Sequence, residues 1–382
     1  MSSKKINTYN SFDDFEKELD QDKYLNEIEN DSDNSENDQE INIKKEKDTI
    51  NDIKSKLINP KIIDLFCGIG GFHKGFEPYE CILASDIDKD CRIIYKNNYK
   101  LEPVGDIFDI DENKLNNFDI LCGGIPCQPY SSSGKKLGLA DVRAKPYDKV
   151  LSIVTKKRPS IVIIENVKNL LILDDGKIIE KIKNDFEKIN YNFSYQLLNI
   201  CNFNLAQNRD RLFIVATRKD KYKFNFSKLI NIHNNNTSLK DIINLNNKNY
   251  IDKEKYVIID KKYIKKQKSG LIFCGYIKGN LRKNGVIEDT EHLSRVHKQP
   301  NRIYHIDGVN PTLSASETSG RYYIYDNIGV RKLTIDECYK IMGFTNFKLH
   351  ENNGKAYHQV GNAVSPTIIK AIKEELERQN FI

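Results

Sequence analysis

Short apolar runs punctuate the chain between Pro60 and Ala216, and most of them close on a glycine or an acid. Lys61-Ile62-Ile63-Asp64-Leu65-Phe66 predicts a buried strand that opens onto Cys67-Gly68-Ile69-Gly70-Gly71 and then a helix. Cys81 to Asp86 predicts a second strand ending in an acid. Phe118 to Cys122 and Ile161 to Glu165 are continuously apolar, as parallel strands buried on both faces are. Asp148 to Lys157 and Lys177 to Lys188 carry helical periodicity between strands, and Leu212 to Ala216 predicts one more strand. This alternation predicts an α/β fold built on a doubly wound, mostly parallel sheet, with ligands at the carboxyl ends of its strands.

The pattern fails at both flanks of this block. Residues 1–57 form a polar acidic tail, in which Asn30 to Asp38 is too polar to build a core; the tail is expected to be disordered and without a catalytic role. From about Lys219 to Asp326, Asn, Lys, Tyr and Gly dominate and the βα rhythm is lost, which predicts a second, smaller mixed domain over residues 221–327. The first domain is then discontinuous, 58–220 with 328–382. Its last part holds a helix over Leu333 to Met342, a Gly-rich turn, and a helix over Pro366 to Arg378 with Pro366 in its first turn.

Charge sharpens the division. Residues 1–60 carry 9 Lys against 16 Asp or Glu, a balance of −7, so the remaining 322 residues carry +13. A basic body with an acidic arm suits a nucleic-acid binder, although a solvated Lys-rich surface has the same composition. No apolar run approaches the ~20 residues that span a membrane, and no apolar signal core opens the chain, so a soluble intracellular protein is expected. Its compartment would be cytoplasmic in a prokaryotic or viral setting and nuclear in a eukaryotic one. The eight cysteines are scattered, with no C-x-x-C pair and no histidine cluster, which argues for reduced thiols and against a metal site.

Among those cysteines Cys127 stands apart. Pro126-Cys127-Gln128-Pro129 lies in a polar turn straight after Ile120-Leu121-Cys122, where an α/β sheet presents catalytic groups, so Cys127 is a candidate nucleophile. The glycine loop after Asp64 lets the backbone approach a ligand closely, or packs a helix tightly on its strand. It does not complete G-x-G-x-x-G, because His73 fills the sixth position from Gly68, which counts against NAD or FAD. Asp86 is placed to accept from ribose hydroxyls. Asp106, in Gly105-Asp106-Ile107 and read as following a third strand, is placed to accept from an adenine amino group. A nucleoside without a pyrophosphate fits best, and S-adenosylmethionine (AdoMet) is one. Glu165, after four apolar residues, needs a partner or a task, or caps a helix. Arg209 and Arg211 alternate along an extended segment and are expected to project together, toward a base edge or phosphate, or into an ion-pair ladder with Asp210.

Taken in order, these segments resemble the C5-cytosine DNA methyltransferases. The matching stretches are Asp64–Gly71, Pro126-Cys127-Gln128, Glu165-Asn166-Val167, Gln207-x-Arg209-x-Arg211, Arg331-Lys332-Leu333-Thr334 through Met342-Gly343-Phe344, and Gln359-Val360-Gly361-Asn362-Ala363-Val364. The resemblance covers nearly all of residues 60–380 and implies the sheet of class I AdoMet-dependent methyltransferases. It also implies methyl transfer from AdoMet to C5 of a flipped-out cytosine in a specific double-stranded DNA sequence, through a Cys127–C6 adduct. Glu165 would act on N3 and the exocyclic amine, Arg211 on O2, and Arg209 on the Cys127 loop and target backbone. Phe66, Gly68, Gly71, Asp86, Ile87, Asp106, Ile107, Pro126, Asn362 and Val364 fall on AdoMet-binding positions, with Ile87 where the family often has an aromatic. By the same resemblance, Ser131 and Ser133 would belong to a loop that closes over the flipped nucleotide. The second domain would recognise the target: Lys261 to Lys298 holds ten Lys or Arg against three acids, and Arg282, Arg295, Arg302 and Thr312 are candidates for DNA contact.

The chain departs from the family at Asn202 to Gln207, where a Gly and a Pro are common, so a locally altered turn is expected with the arginine pair retained. The nearest alternative is a tRNA-methylating member, but its Cys-Phe-Thr signature is absent and Phe273-Cys274-Gly275-Tyr276 is a faint echo. A catalytically silent DNA-binding member is the other, and it sits poorly with Cys127, Glu165 and Arg211 together. A monomer is expected, with any cognate restriction endonuclease acting separately.

Overall fold

Six strands form the main sheet, in the order β2-β1-β3-β4-β7-β5. They are β1 (Lys61–Leu65), β2 (Glu80–Ser85), β3 (Ile120–Gly124), β4 (Ile161–Val167), β5 (Tyr191–Asn199) and β7 (Asp210–Arg218). The short β6 (Gln207–Asn208) lies outside that sheet. This is a computed structural model, and it describes residues 59–126, 145–230, 232, 236–279 and 289–382. Cys127, Ser131, Ser133 and Arg282 lie outside the described residues, as does the acidic tail.

Alternation along the strands divides the core between the two faces. Ile62, Ile120, Ile161 and Ile163 belong to one apolar cluster, while Ile63, Leu65, Leu121, Val162 and Ile164 belong to the other. Helices α1 (Gly71–Phe76) and α2 (Lys89–Tyr99) supply Phe72, Phe76, Cys91 and Ile94 to the first. Helices α3 (Lys145–Lys157) and α4 (Lys177–Lys188) supply Val150, Ile153, Ile178 and Phe186 to the second. The sheet is therefore packed against helices on both faces among the described residues, which leaves its strand ends as the expected place for a ligand.

The sheet is more mixed than the apolar pattern predicts. β2, β1, β3 and β4 pair in parallel, but β7 runs antiparallel to β4 and to β5. β5 is a strand the pattern passes over, because Asn192, Ser194 and Gln196 interrupt its apolar residues. Two further corrections concern connections. No third strand leads into Asp106: the chain there makes only an isolated bridge between Ser85 and Val104, and Asp106 caps a single 3-10 turn, accepting from Phe108 N at 3.1 Å. The expected Gly-rich turn before the last helix is itself helical.

After a four-residue helix, α5 (Ser227–Ile230), the late segment holds α6 (Ile335–Ile341), α7 (Asn353–Asn362) and α8 (Pro366–Arg378). Helix α7 starts where the Asn352 side chain accepts from Lys355 N. It tolerates Gly361 because a Cβ there would sit 2.4 Å from Ala315 N, so the glycine answers to close packing and not to a turn.

Residues 250–332 build a second sheet, ordered β13-β12-β10-β9-β8. Its strands are β8 (Tyr256–Ile258), β9 (Phe273–Ile277), β10 (Arg302–His305), β12 (Tyr323–Tyr325) and β13 (Val330–Lys332), and β11 (Asn310–Pro311) pairs with β6 instead. Residues 60–382 form one compact unit, so a separate smaller domain does not stand out, and β13 lies past the expected boundary at 327. A buried fork-to-fork ion pair, Arg331 Nη1 and Nη2 to Glu337 Oε2 and Oε1 at 2.8 Å each, ties β13 to α6. Glu337 also closes the capping box with Thr334 that starts α6.

Candidate active site at the strand ends

The end of β1 turns sharply. Phe66 and Gly68 both have φ near +52°, and Gly70 has φ +87°. A left-handed phenylalanine is uncommon and costs on the order of 1 kcal/mol or more, so the surrounding structure imposes it. The three loop glycines serve different ends. A Cβ on Gly70 would lie 2.2 Å from the Tyr99 ring, and one on Gly71 would lie 2.1 Å from Val364 O. Protein packing requires both. Around Gly68 a Cβ would meet nothing within 4 Å, so this glycine alone faces open space.

Asp86, just past β2, holds that loop. Its Oδ2 accepts from Gly68 N at 2.7 Å and its Oδ1 from Asp88 N at 2.8 Å. Burial pushes its carboxyl up, against those two hydrogen bonds. Next to it Ile87 is 77% exposed, an apolar side chain with nothing to cover it among the described residues. Asp106 and the buried Ile107 follow on the same connection between β2 and β3. Open space at Gly68, a carboxylate fixed at a strand end and a bare apolar side chain suit an amphipathic nucleoside. Asn362, at the end of α7, is exposed and bonds His358 Nε2 through its Nδ2 at 3.1 Å, while Val364 is half-buried against the loop.

Glu165 sits near the carboxyl end of β4, opposite Gly124 of β3. Its Oε1 receives Arg211 Nε at 2.9 Å. This meeting depends on strand direction. Because β7 runs antiparallel, its first residues pair with the last of β4, Val167 opposite Arg211. Burial pushes the Glu165 carboxyl up, and the Arg211 and Arg209 charges pull the other way. The next residue, Asn166, donates Nδ2 to Ile125 O at 3.0 Å. That bond fixes the chain two residues before Cys127 to the strand that carries Glu165. The motif Glu165-Asn166-Val167 marks Asn166 in the sequence, but its anchoring task is visible only here.

Arg209 corrects an expectation. It does not project with Arg211 toward a base edge or phosphate but is 2% exposed, with Nη1 on Leu313 O (3.0 Å) and Nη2 on Gly361 O (2.9 Å) and Ala363 O (3.0 Å). Burial first, and then the Arg211 charge, pull its guanidinium down to about 9, so it stays cationic at neutral pH. It clamps the segment after β11 to the end of α7. Gln207 works beside it, accepting from Leu313 N at 2.9 Å, while Thr312 donates its hydroxyl to Asn208 O. The preceding segment makes a 3-10 turn over Ile200–Asn202, with Asn204 at φ +60° and Asn199 Oδ1 accepting from Arg209 N at 3.2 Å. Asp210 turns outward to Lys168 and Asn199, so no ladder with the arginines forms.

This clamp is testable. Arg209→Ala strands three buried carbonyls and is expected to cost about 3 kcal/mol or more of stability, read as a lowered urea midpoint. Arg209→Lys should recover only part of it, since one ammonium replaces a planar fork. An unchanged midpoint for both variants would remove the clamp.

Of the remaining candidates, Pro126 and Arg295 are exposed and Arg302 is half-buried at the start of β10. Cys274, in the faint echo of an RNA-type signature, is wholly buried within β9. The seven described cysteines are free thiols. Among the described residues no group of His, Cys, Asp or Glu could hold a metal ion, and no helix is long and apolar enough to cross a membrane.

Comparison with known proteins matches residues 60–378 to the family model for C-5 cytosine-specific DNA methylase. The Type II methyltransferase M.HhaI of Haemophilus parahaemolyticus is 32% identical over 338 residues, covering 84% of this chain and 95% of that protein. The Type II methyltransferase M.HaeII of Haemophilus aegyptius is 31% identical over 316 residues, covering 82% and 91%. Among solved structures, the S. pombe Dnmt2 methyltransferase superposes with a TM-score of 0.61 over 84% of this chain and 99% of its own, at 16% identity, a likeness of fold.

Proposed function

The chain belongs to the C-5 cytosine-specific DNA methylase family and is a DNA cytosine-5-methyltransferase, and from that premise we propose how its residues perform the reaction. The substrate is a cytosine flipped out of a specific double-stranded DNA sequence, and Cys127 is the covalent nucleophile. The observation that carries this reading is the Glu165–Arg211 pair, 2.9 Å apart at the strand ends, with Asn166 tethering the approach to Cys127.

C5 of a pyrimidine is a poor nucleophile, so the chemistry needs an adduct. The Cys127 thiolate bonds to C6, and the displaced ring electrons are taken up toward N3. Glu165, whose neutral form is favoured by burial, donates its proton to N3, and C5 gains enamine character. Arg211 holds O2 of the base while its Nε fixes the carboxyl orientation. AdoMet, when bound, supplies the methyl group that C5 takes. Loss of the C5 proton to water then expels the Cys127 thiolate, and N3 returns its proton to Glu165. Since C6 is inaccessible within a stacked duplex, the base must leave the helix, and Ser131 and Ser133 belong to the loop assigned to close over it.

Phe66, Gly68, Asp86, Ile87, Asp106, Ile107, Pro126, Asn362 and Val364 are the residues assigned to AdoMet, with Gly71 supporting the loop from behind. The open space at Gly68 and the bare Ile87 support this assignment. Asp86→Ala is expected to weaken AdoMet binding by about 1–3 kcal/mol, since a ribose partner and the bond to Gly68 N are both lost. Calorimetry giving unchanged affinity would remove Asp86 from the site. We assign target recognition to residues 221–327, with Arg282, Arg295, Arg302 and Thr312 as DNA contacts, and the catalytic domain to 58–220 with 328–382. Any cognate endonuclease acts as a separate protein.

The test is labelled methyl transfer from AdoMet into duplex DNA and into tRNA in parallel. Label is expected in DNA as 5-methylcytosine. Label in tRNA alone would overturn the reading.

A further inference from the structure

Two arginines outside the catalytic pair line one groove of about 290 Å³ on the second sheet. Arg302 opens β10 and Arg321 lies two residues before the start of β12, and these strands are parallel neighbours with Ile303 opposite Tyr323. The two side chains therefore start from the same end of the sheet. Each is braced along one edge. Arg302 donates Nε and Nη2 to His297 O, at 3.0 and 2.8 Å, and His297 is itself buried and stacked on Tyr276 at 4.2 Å. Arg321 donates Nε (3.1 Å) and Nη2 (2.8 Å) to Glu317, which is 5% exposed and also accepts from Ser319 N and Arg321 N.

Bracing through Nε and Nη2 leaves the far end of the Arg321 guanidinium, Nη1 with the second hydrogen of Nη2, pointing away from Glu317, whereas Arg302 also bonds the Tyr304 side chain. A guanidinium fixed in this way donates two parallel hydrogen bonds to a pair of acceptors. A phosphate and the O6/N7 edge of guanine both present such a pair. The charge beside Arg321 separates them. Glu317 neutralises that arginine and would repel a phosphate, whereas a guanine edge is uncharged. Holding the fork rigid also removes much of the side-chain entropy that a free arginine loses on binding.

We propose that Arg321, braced by Glu317, reads a guanine of the recognition sequence in this groove, beside Arg302. The assignment rests on the DNA methyltransferase reading above and names a residue that sets its sequence specificity.

The recognition site is first mapped by bisulfite sequencing of plasmid DNA methylated by the wild-type protein. Duplexes carrying that site are then made with each guanine in turn replaced by 7-deazaguanine, which lacks the N7 acceptor. Wild type is expected to lose about tenfold to a hundredfold in kcat/KM at one guanine. Arg321→Ala and Arg321→Lys should both be indifferent to 7-deazaguanine at that position, with an unchanged salt dependence of DNA binding. Retained AdoMet affinity by calorimetry shows that each variant is folded. Lysine keeps the charge and lacks the fork, so recovery by Arg321→Lys would overturn the proposal. So would a uniform loss on all duplexes with a salt slope reduced by about 1, the mark of a phosphate contact. A recognition site without guanine, or variants as sensitive as wild type at every guanine, would also overturn it. Wild-type protein that methylates no duplex DNA would instead remove the function itself, and this inference with it.

Discussion

Cys127→Ala is expected to reduce methyl transfer by on the order of 10⁴-fold or more while AdoMet affinity and the thermal midpoint stay at wild-type values. The size follows from the reaction. Without a sulfur–carbon bond at C6, C5 has no enamine electrons to offer, and neither Glu165 nor Arg211 supplies them. Glu165 answers electron density that the adduct has already moved onto N3, so it has little to protonate when the adduct cannot form. The two effects are thus expected to be non-additive, and Cys127→Ala combined with Glu165→Gln should be scarcely slower than Cys127→Ala alone. Single-turnover assays with labelled AdoMet measure this directly. A Cys127→Ala protein that methylates at the wild-type rate would show that the nucleophile has been misassigned.

Glu165→Gln is the second large effect, with kcat expected to fall about 10²–10⁴-fold, the range for loss of a positioned general acid. The glutamine keeps the shape and can still accept from Arg211 Nε, now 2.9 Å from the carboxylate, but it has no proton to give N3. DNA and AdoMet binding should change little, so the loss appears in kcat and not in KM. The sign of the pH dependence follows from the same carboxyl. Burial raises it, with Arg211 and Arg209 opposing. The neutral, proton-donating form therefore survives toward higher pH than for an exposed glutamate, and kcat should decline as pH rises through that raised value. Glu165→Gln should abolish this limb. A variant with wild-type kcat and the same limb would remove Glu165 from proton transfer.

Much of the fold around the candidate site is legible in the sequence, because its strand ends are written in short local motifs. Glycines after an apolar run, an acid closing the next run, and Glu165 closing a third each announce a strand end. The helix Pro366–Arg378 and the helix Lys177–Lys188 have the bounds that their periodicity predicts. The failures are equally physical. β5 was hidden because its polar residues have buried partners that a local window does not include, as Ser194 donates to Phe224 O at 2.8 Å. Helix α7 was hidden because Gly354 and Gly361 read as turn residues until Ala315 is seen packed against the latter. The braced Arg321 carried no motif at all, since its meaning lies in Glu317 and in a groove shared with β10.

The sequence by itself determined the reaction class and marked the glycine loop, Glu165 and Arg211 as candidates for it, because each is a local spacing that chemistry constrains. Tertiary structure decided which residues meet. Arg211 lies at the beginning of its strand, and in a wholly parallel sheet it would stand at the opposite edge from Glu165. The antiparallel course of β7 brings it to the end of β4. The same fold separated two arginines that look alike in Gln207-x-Arg209-x-Arg211. Arg209 was drawn into the interior by three carbonyls from residues 313, 361 and 363, acceptors more than a hundred positions away that no reading of neighbouring residues could have supplied.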